Sequence, residues 1–264
     1  MARFEDGSAG DADYGMIGHG YASIRQPDPR IEQRVWAAFG DARSVLNVGA
    51  GAGSYEPYDR EVTAVEPSAS MRAERPANRV RAIDATSDAL PFDDDSFDAS
   101  MASVTIHQWP ELEKGLAEMR RVTRGPVVIL TFAPEVPEPW WQPEYVPELF
   151  EVEGRRMPRL ERVAEALGGE VEIQVVPVPA DCIDGFGQAF FARPERTLEA
   201  YVRRAMSAWS FLDPAIVERY ERELGADLAS GAWDERWGWM RTIPEFDVGM
   251  RLIIARPAGS RADS

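Results

Sequence analysis

Cysteine, lysine and histidine are nearly missing from this sequence. Cys182 is the only cysteine in 264 residues, which excludes an intrachain disulfide and makes the thiol an expected small core residue. With two histidines beside it, no transition-metal site is expected. Lys114 is the only lysine and no dense Lys/Arg block occurs, while 45 acidic against 29 basic residues give a net charge of −16. Such a field repels a phosphate backbone, so a nucleic-acid partner is not expected. Long apolar runs are missing too. The longest, near Val127 to Ala133, is far too short to span a bilayer. The acidic, Gly-rich start through Gly15 lacks the basic and apolar stretches of a signal peptide. Together these absences point to a cytoplasmic protein without a membrane partner. They leave the oligomeric state open.

What is present suits a folded chain: 264 residues, 44% of them hydrophobic, suffice for one sizeable domain, or a domain with a cap. No internal repeat is found. From Arg30 to Phe39, Ile31, Val35 and Trp36 fall at helical spacing, and Asp28-Pro29 supplies a cap and first turn. The pattern then changes to short apolar runs of strand length: Ser44 to Val48, Val62 to Glu66, Val80 to Asp84, Phe97 to Ser103 and Pro126 to Phe132. Between the last two, Leu112, Leu116 and Met119 mark an amphipathic helix opened by Pro110. A second helix spans Pro158 to Leu167 and is ended by Gly168. Further strands are expected at Val171 to Val178 and Asp247 to Ala255. The long stretch between them reads as helices, including Pro194 to Ala205 and one opened by Asp213-Pro214 that runs through Leu224. Strands alternating with helices predict an α/β fold with a parallel sheet, and so long an insertion predicts a helical cap.

The segment Val45-Leu46-Asn47-Val48-Gly49-Ala50-Gly51-Ala52-Gly53-Ser54 carries the chain out of the first strand through a Gly-x-Gly-x-Gly turn. Glycine lets the backbone bend sharply there and lets a ligand lie against it, at the strand end where open parallel sheets bind ligands. Glu66 ends the next strand, within Val62-Thr63-Ala64-Val65-Glu66-Pro67-Ser68, where a carboxylate accepts both hydroxyls of a ribose. Asp84 ends the third, in Arg81-Ala82-Ile83-Asp84-Ala85, placed to accept an adenine amino group with the Ala85 N–H beside it.

In this order, and together with Ala89-Leu90-Pro91-Phe92-Asp93-Asp94-Asp95-Ser96-Phe97-Asp98, these motifs resemble the class I S-adenosylmethionine-dependent methyltransferases, particularly their methyltransferase-11-like small-molecule group. The resemblance runs over residues 40 to 135. It implies a Rossmann-like, seven-stranded, mostly parallel sheet with helices on both faces, closed by an antiparallel last strand at Asp247 to Ala255. It also implies S-adenosyl-L-methionine as cofactor, held by Gly49, Ala50, Gly51, Glu66, Pro67, Asp84, Ala85 and Ser103. The expected organisation is a flexible N-terminus and cofactor lid over 1–28, the methyltransferase domain over 29–183 and 246–258, and a substrate-side helical cap over 184–245.

Three departures from the family pattern stand out, one being that the third glycine sits at Gly53 and not at position 54, which weakens a dinucleotide reading. Asn47 occupies a place where the family often has an acid. Pro57 comes so soon after Gly53 that the usual helix after the turn is expected to be short or absent. A ligand without a pyrophosphate tolerates that loss better than a dinucleotide does.

The resemblance implies a lid from the segment holding Tyr14, His19, Tyr21 and Arg25, with Tyr21 and Arg25 at the cofactor's methionine end, where an arginine pairs with a carboxylate. It also implies that Ser103-Val104-Thr105-Ile106-His107-Gln108-Trp109 borders the methyl group and the acceptor. His107, with an ordinary pKa of about 6.5, is the preferred catalytic base and Tyr21 the second choice. Trp140, Trp141, Phe186, Phe190, Phe191, Trp209, Trp233, Trp237 and Trp239 lie outside the sheet and are expected to wall a pocket for an aromatic acceptor, an indole included. The function this implies is methyl transfer to a small molecule by in-line displacement. Two alternatives stand beside it: a non-catalytic S-adenosylmethionine-binding protein, and an NAD-dependent oxidoreductase, for which the Gly-x-Gly-x-x-Gly spacing and a Tyr-x-x-x-Lys pair are missing.

Overall fold

The computed structural model of the protein describes residues 24–136 and 139–259. Most of the expected flexible N-terminus and lid, with Tyr14, His19 and Tyr21, lies outside the described residues, as do residues 260–264.

Helix α1 (Pro29–Ala38) opens as its sequence predicts. The Asp28 side chain accepts the Arg30 N–H at 3.0 Å, proline fills the first turn, and Ile31 and Val35 point inward at 1% exposure each. After it come β1 (Ser44–Val48), β2 (Glu61–Val65), α2 (Ala69–Ala73), β3 (Ala99–Ser103), α3 (Leu112–Val122) and β4 (Val127–Phe132). Beyond β4 lie α4 (Trp141–Tyr145), α5 (Pro147–Arg156), α6 (Leu160–Leu167), β5 (Glu170–Val175) and β6 (Val178–Pro179). The chain continues with α7 (Ala200–Arg204), α8 (Pro214–Ser230), α9 (Ala232–Trp237), β7 (Glu245–Phe246) and β8 (Met250–Arg256). Among the described residues, no helix is long and apolar enough to cross a membrane.

The main sheet has the order β2-β1-β3-β4-β8-β5. The first four strands run parallel, and β8 inserts antiparallel between β4 and β5. It is Rossmann-like with six strands where seven were expected. The run Val80 to Asp84 contributes a single bridge, Ile83 to Val65. It lies at the sheet edge with Val80 and Ile83 40% and 43% exposed, and the Arg75 side chain takes the Val80 carbonyl. With so little of the run buried, pairing beyond that bridge has little to stabilise it.

Both faces of the central strands are buried, and alternate residues serve opposite faces. Val45, Met101, Val128, Leu130, Phe132 and Leu252 join the cluster that holds α1 and the cap. Leu46, Ala102, Val127, Ile129 and Ile253 join the cluster built with α3 and α6. The helices of 184–245 thus share one apolar core with the sheet. They also pack against α4: Trp141 lies edge-on to Trp233 with ring centres 6.1 Å apart, and Tyr145 donates to Asp227 at 2.6 Å. Trp140 and Trp141, 1% and 0% exposed, belong to this core.

The run expected as one strand from Val171 to Val178 divides at Pro177, which has no N–H for the ladder. Its end, β6, pairs with β7 in a separate two-stranded ribbon. The last strand starts at Met250 rather than Asp247, because the Asp247 carboxylate accepts the Gly249 N–H and the Arg251 guanidinium and holds residues 247–249 as a turn.

Candidate active site

The glycine turn leaves β1 with Gly49 at φ 68° and Gly51 at φ 49°, backbone that side chains rarely adopt. A Cβ on Gly49 would also lie 2.4 Å from Thr105 Oγ1. The N–H groups of Gly49 and Ala50 both donate to the Val65 carbonyl, at 3.0 and 2.9 Å, which ties the turn to β2. No helix lies between the turn and β2, as Pro57 predicted. Instead the chain turns through Tyr55 at φ 63° and buries Glu56. Arg75 forms a two-pronged pair with Glu56 at 2.8 and 2.9 Å, and its Nη1 also donates to the Gly51 carbonyl at 3.1 Å. Asn47 Nδ2 donates to the same carboxylate at 3.0 Å. A buried ion pair therefore braces the turn where a helix would otherwise do so.

Glu66 stands beneath this turn. Its two carboxylate oxygens accept the N–H groups of Gly51, at 2.8 Å, and Ser68, at 2.9 Å. Burial raises its pKa, and those two amides partly offset the rise. Each oxygen keeps a further lone pair, so the group holds the turn and can still receive a ligand hydroxyl.

A cleft of about 930 Å³ opens over these elements. Gly49, Ala50, Gly51 and Glu66 line it, together with Pro67, Ser103 and Arg25. Asp84 and Ala85 are absent from its lining: the Asp84 carboxylate points outward, 61% exposed, and pairs with Arg72 at 3.2 Å. Thr86 and Ser87, just beyond them, take that wall. Tyr21 lies outside the described residues.

His107 sits on the 3-10 turn after β3 with its Nδ1 buried. It lines a second cavity of about 540 Å³ rather than the first. Arg25 and Val104 line both, so the two spaces meet there. Val104, a β-branched residue at φ 49°, carries backbone strain. The apolar wall of the second cavity includes Phe132, Met157, Phe186 and Met206. None of the cap tryptophans lines either cavity. Trp140, Trp141, Trp209, Trp233 and Trp237 are at most 8% exposed and form the core between cap and sheet.

Asp184 joins these parts. It receives Arg25 Nε at 2.6 Å on one oxygen and the Tyr55 hydroxyl at 2.7 Å on the other. Burial, and then the charge of Asp184, push the Tyr55 phenol well above its ordinary pKa, so it remains a donor. Sequence reasoning missed Tyr55, Glu56, Arg75 and Asp184. Glu56 and Arg75 follow the glycine segment without any diagnostic spacing, and Asp184 reaches Tyr55 from 129 residues away.

The first cleft fits S-adenosylmethionine by its own chemistry. Asn47 Oδ1 is a buried acceptor with no donor among the described residues, placed for an ammonium group. Glu66 offers acceptors for hydroxyls, and Gly49 and Gly51 leave the floor free of Cβ atoms.

The comparisons agree with this reading. A methyltransferase-domain family matches residues 46–129. An Anabaena variabilis protein of known crystal structure, described as a methyltransferase from an antibiotic biosynthesis pathway, is 30% identical. That match covers 88% of this chain and 98% of the other, with a TM-score of 0.82. Over 107 residues the chain is 32% identical to the uncharacterised methyltransferase YcgJ of Bacillus subtilis, a match covering 35% of this chain and 42% of that one. Over 99 residues it is 42% identical to the demethylmenaquinone methyltransferase of Renibacterium salmoninarum, covering 34% of this chain and 41% of that one. The chain thus spans about two fifths of the length of the curated relatives it matches. The fold and the glycine-turn cleft are those of a methyltransferase domain. The chain belongs to the class I S-adenosylmethionine-dependent methyltransferases.

Proposed function

We propose that this protein binds S-adenosyl-L-methionine in the first cleft and methylates a small-molecule acceptor held in the second cavity. The observation that carries this reading is the junction of the two spaces at Arg25 and Val104. When bound, the cofactor supplies an activated methyl group on a sulfonium sulfur.

The chain's own work is then binding, orientation and exclusion of water, which in well-aligned systems supplies about 7–11 kcal/mol of the barrier. Glu66 takes the ribose hydroxyls, Asn47 Oδ1 the ammonium group, and Arg25 the carboxylate. Gly49, Ala50, Gly51, Pro67 and Ser103 shape the floor. His107, in the wall of the acceptor cavity, takes the proton of an O–H or N–H nucleophile at a ring nitrogen. An aromatic acceptor, an indole among them, suits a wall made by Phe132 and Phe186. The helical segments over 184–245 serve as the acceptor-side cap. The missing helix after the glycine turn disfavours a dinucleotide, whose pyrophosphate depends on a helix N-terminus.

Calorimetric titration with S-adenosylhomocysteine tests the reading. Micromolar binding by the wild type, weakened at least tenfold, about 1.4 kcal/mol, in Glu66→Ala, is expected. A wild type that binds no S-adenosylhomocysteine would overturn it.

A further inference from the structure

Glu153 lies in the last turns of α5, and neither the cofactor cleft nor the cap's core has a use for it. Its carboxylate is enclosed by protein, and burial raises its pKa. The side chain is nonetheless not sealed, because it lines the second cavity. Gln188 Nε2 donates to Oε2 at 2.8 Å. Among the described residues this is the only hydrogen bond to the carboxylate, and no cation forms an ion pair with it. Arg156 and Arg25, which share the cavity wall, partly oppose the rise in its pKa through their charge, while their guanidinium groups bond elsewhere. Arg25 is held by Asp184 at 2.6 Å. Arg156 lies 4.8 Å from the Phe211 ring centre and donates to Ser207 Oγ at 3.3 Å.

A carboxylate taken out of water with a single neutral hydrogen-bond donor, and with two arginine charges acting only at a distance, is costly to keep. Facing a cavity walled by Phe132, Phe186, Met157 and Met206, it creates a specific demand: a hydrogen-bond donor, best a cationic one, carried on an apolar body. A carboxylate ligand would face like charge at that end of the cavity.

Resting on the reading of the second cavity as the acceptor site, we propose that Glu153, steadied by Gln188, selects acceptors that present an amine or hydroxyl from an apolar, ring-sized body. The amine is preferred over the hydroxyl, and carboxylates are rejected. Glu153 is here an acceptor-binding residue, and the proton-accepting role of His107 is separate from it. Were the Glu153–Gln188 contact only a structural tie between α5 and the turn at Gly187–Phe190, neutralising it would not change which ligands bind.

The full chain saturated with S-adenosylhomocysteine is titrated with three probes of one shape: phenethylamine, 2-phenylethanol and phenylacetate. The wild type is expected to bind the amine most tightly and the carboxylate at least tenfold more weakly. In Glu153→Gln the amine is expected to lose tenfold or more and the order to collapse, while affinity for S-adenosylhomocysteine is unchanged. Gln188→Ala, which leaves the carboxylate in place, is expected to keep the preference for the amine and so controls for disturbed packing. Equal amine binding by wild type and Glu153→Gln would overturn the proposal. So would phenylacetate binding as tightly as the amine, or no binding of any probe at millimolar concentration. Failure of the wild type to take S-adenosylhomocysteine at all would instead overturn the cofactor reading beneath it.

Discussion

The Tyr55 hydroxyl donates to Asp184 Oδ2 at 2.7 Å across 129 residues of chain, with both residues 1% exposed. Because Arg25 holds the other oxygen, one carboxylate fastens the loop after the glycine turn, the arginine at the junction of the two cavities, and the segment leading into the cap.

Asp184→Asn keeps the shape of this joint and removes its charge. A loss of about 1–3 kcal/mol in stability is expected. If Arg25 receives the cofactor's carboxylate, affinity for S-adenosylhomocysteine should fall about tenfold, while that for methylthioadenosine, which lacks the amino-acid end, stays constant. Calorimetry with both ligands checks this, and an equal loss for both would show a collapsed turn instead.

Gly49→Ala places a side chain at φ 68° and a Cβ 2.4 Å from Thr105 Oγ1. Backbone strain alone costs about 1–3 kcal/mol, and the collision adds to it. Urea denaturation should show the larger cost in the wild-type background and a smaller one in Thr105→Ala. If the two costs are equal, strain alone sets the penalty.

For any acceptor found by screening, His107→Ala should lower kcat by about 10²–10⁴-fold. Affinity for S-adenosylhomocysteine should not change, because His107 lines the second cavity and not the first. A variant with unchanged kcat would remove His107 from proton transfer.

Burial raises the pKa of Glu153, so the folded protein holds that proton more tightly than the unfolded chain. The stabilisation this gives is complete below the ordinary glutamate range and is lost as pH rises through the raised folded value. Glutamine lacks that dependence. Glu153→Gln should therefore melt above the wild type near neutrality, and the gap should shrink towards about pH 4. Thermal melts across that range decide it: a constant gap would mean that Glu153 does not titrate there.

The strands and the glycine turn were legible because their signals are local. Apolar runs of strand length mark β1 to β4, and Asp28-Pro29 opens α1. Pro57 marked the missing helix after the glycine turn. The third strand failed as a reading because Val80 and Ile83 carry strand propensity at an edge where the fold buries little. Asp84 ends up paired outward with Arg72 for the same reason. The cap's tryptophans read as pocket walls because composition cannot say which face of a helix meets a core and which meets a cavity.

By itself the sequence determined the α/β alternation, the cofactor turn and the position of Glu66, since each is set by residue order within a strand and the turn after it. Tertiary structure alone decided the bracing of the turn by Glu56 and Arg75, the joining of Tyr55 and Arg25 through Asp184, and the placing of Glu153 beside Gln188 in the second cavity. Those partners lie 19 to 159 residues apart. No local periodicity records such a meeting, because it depends on which elements the shared core presses together.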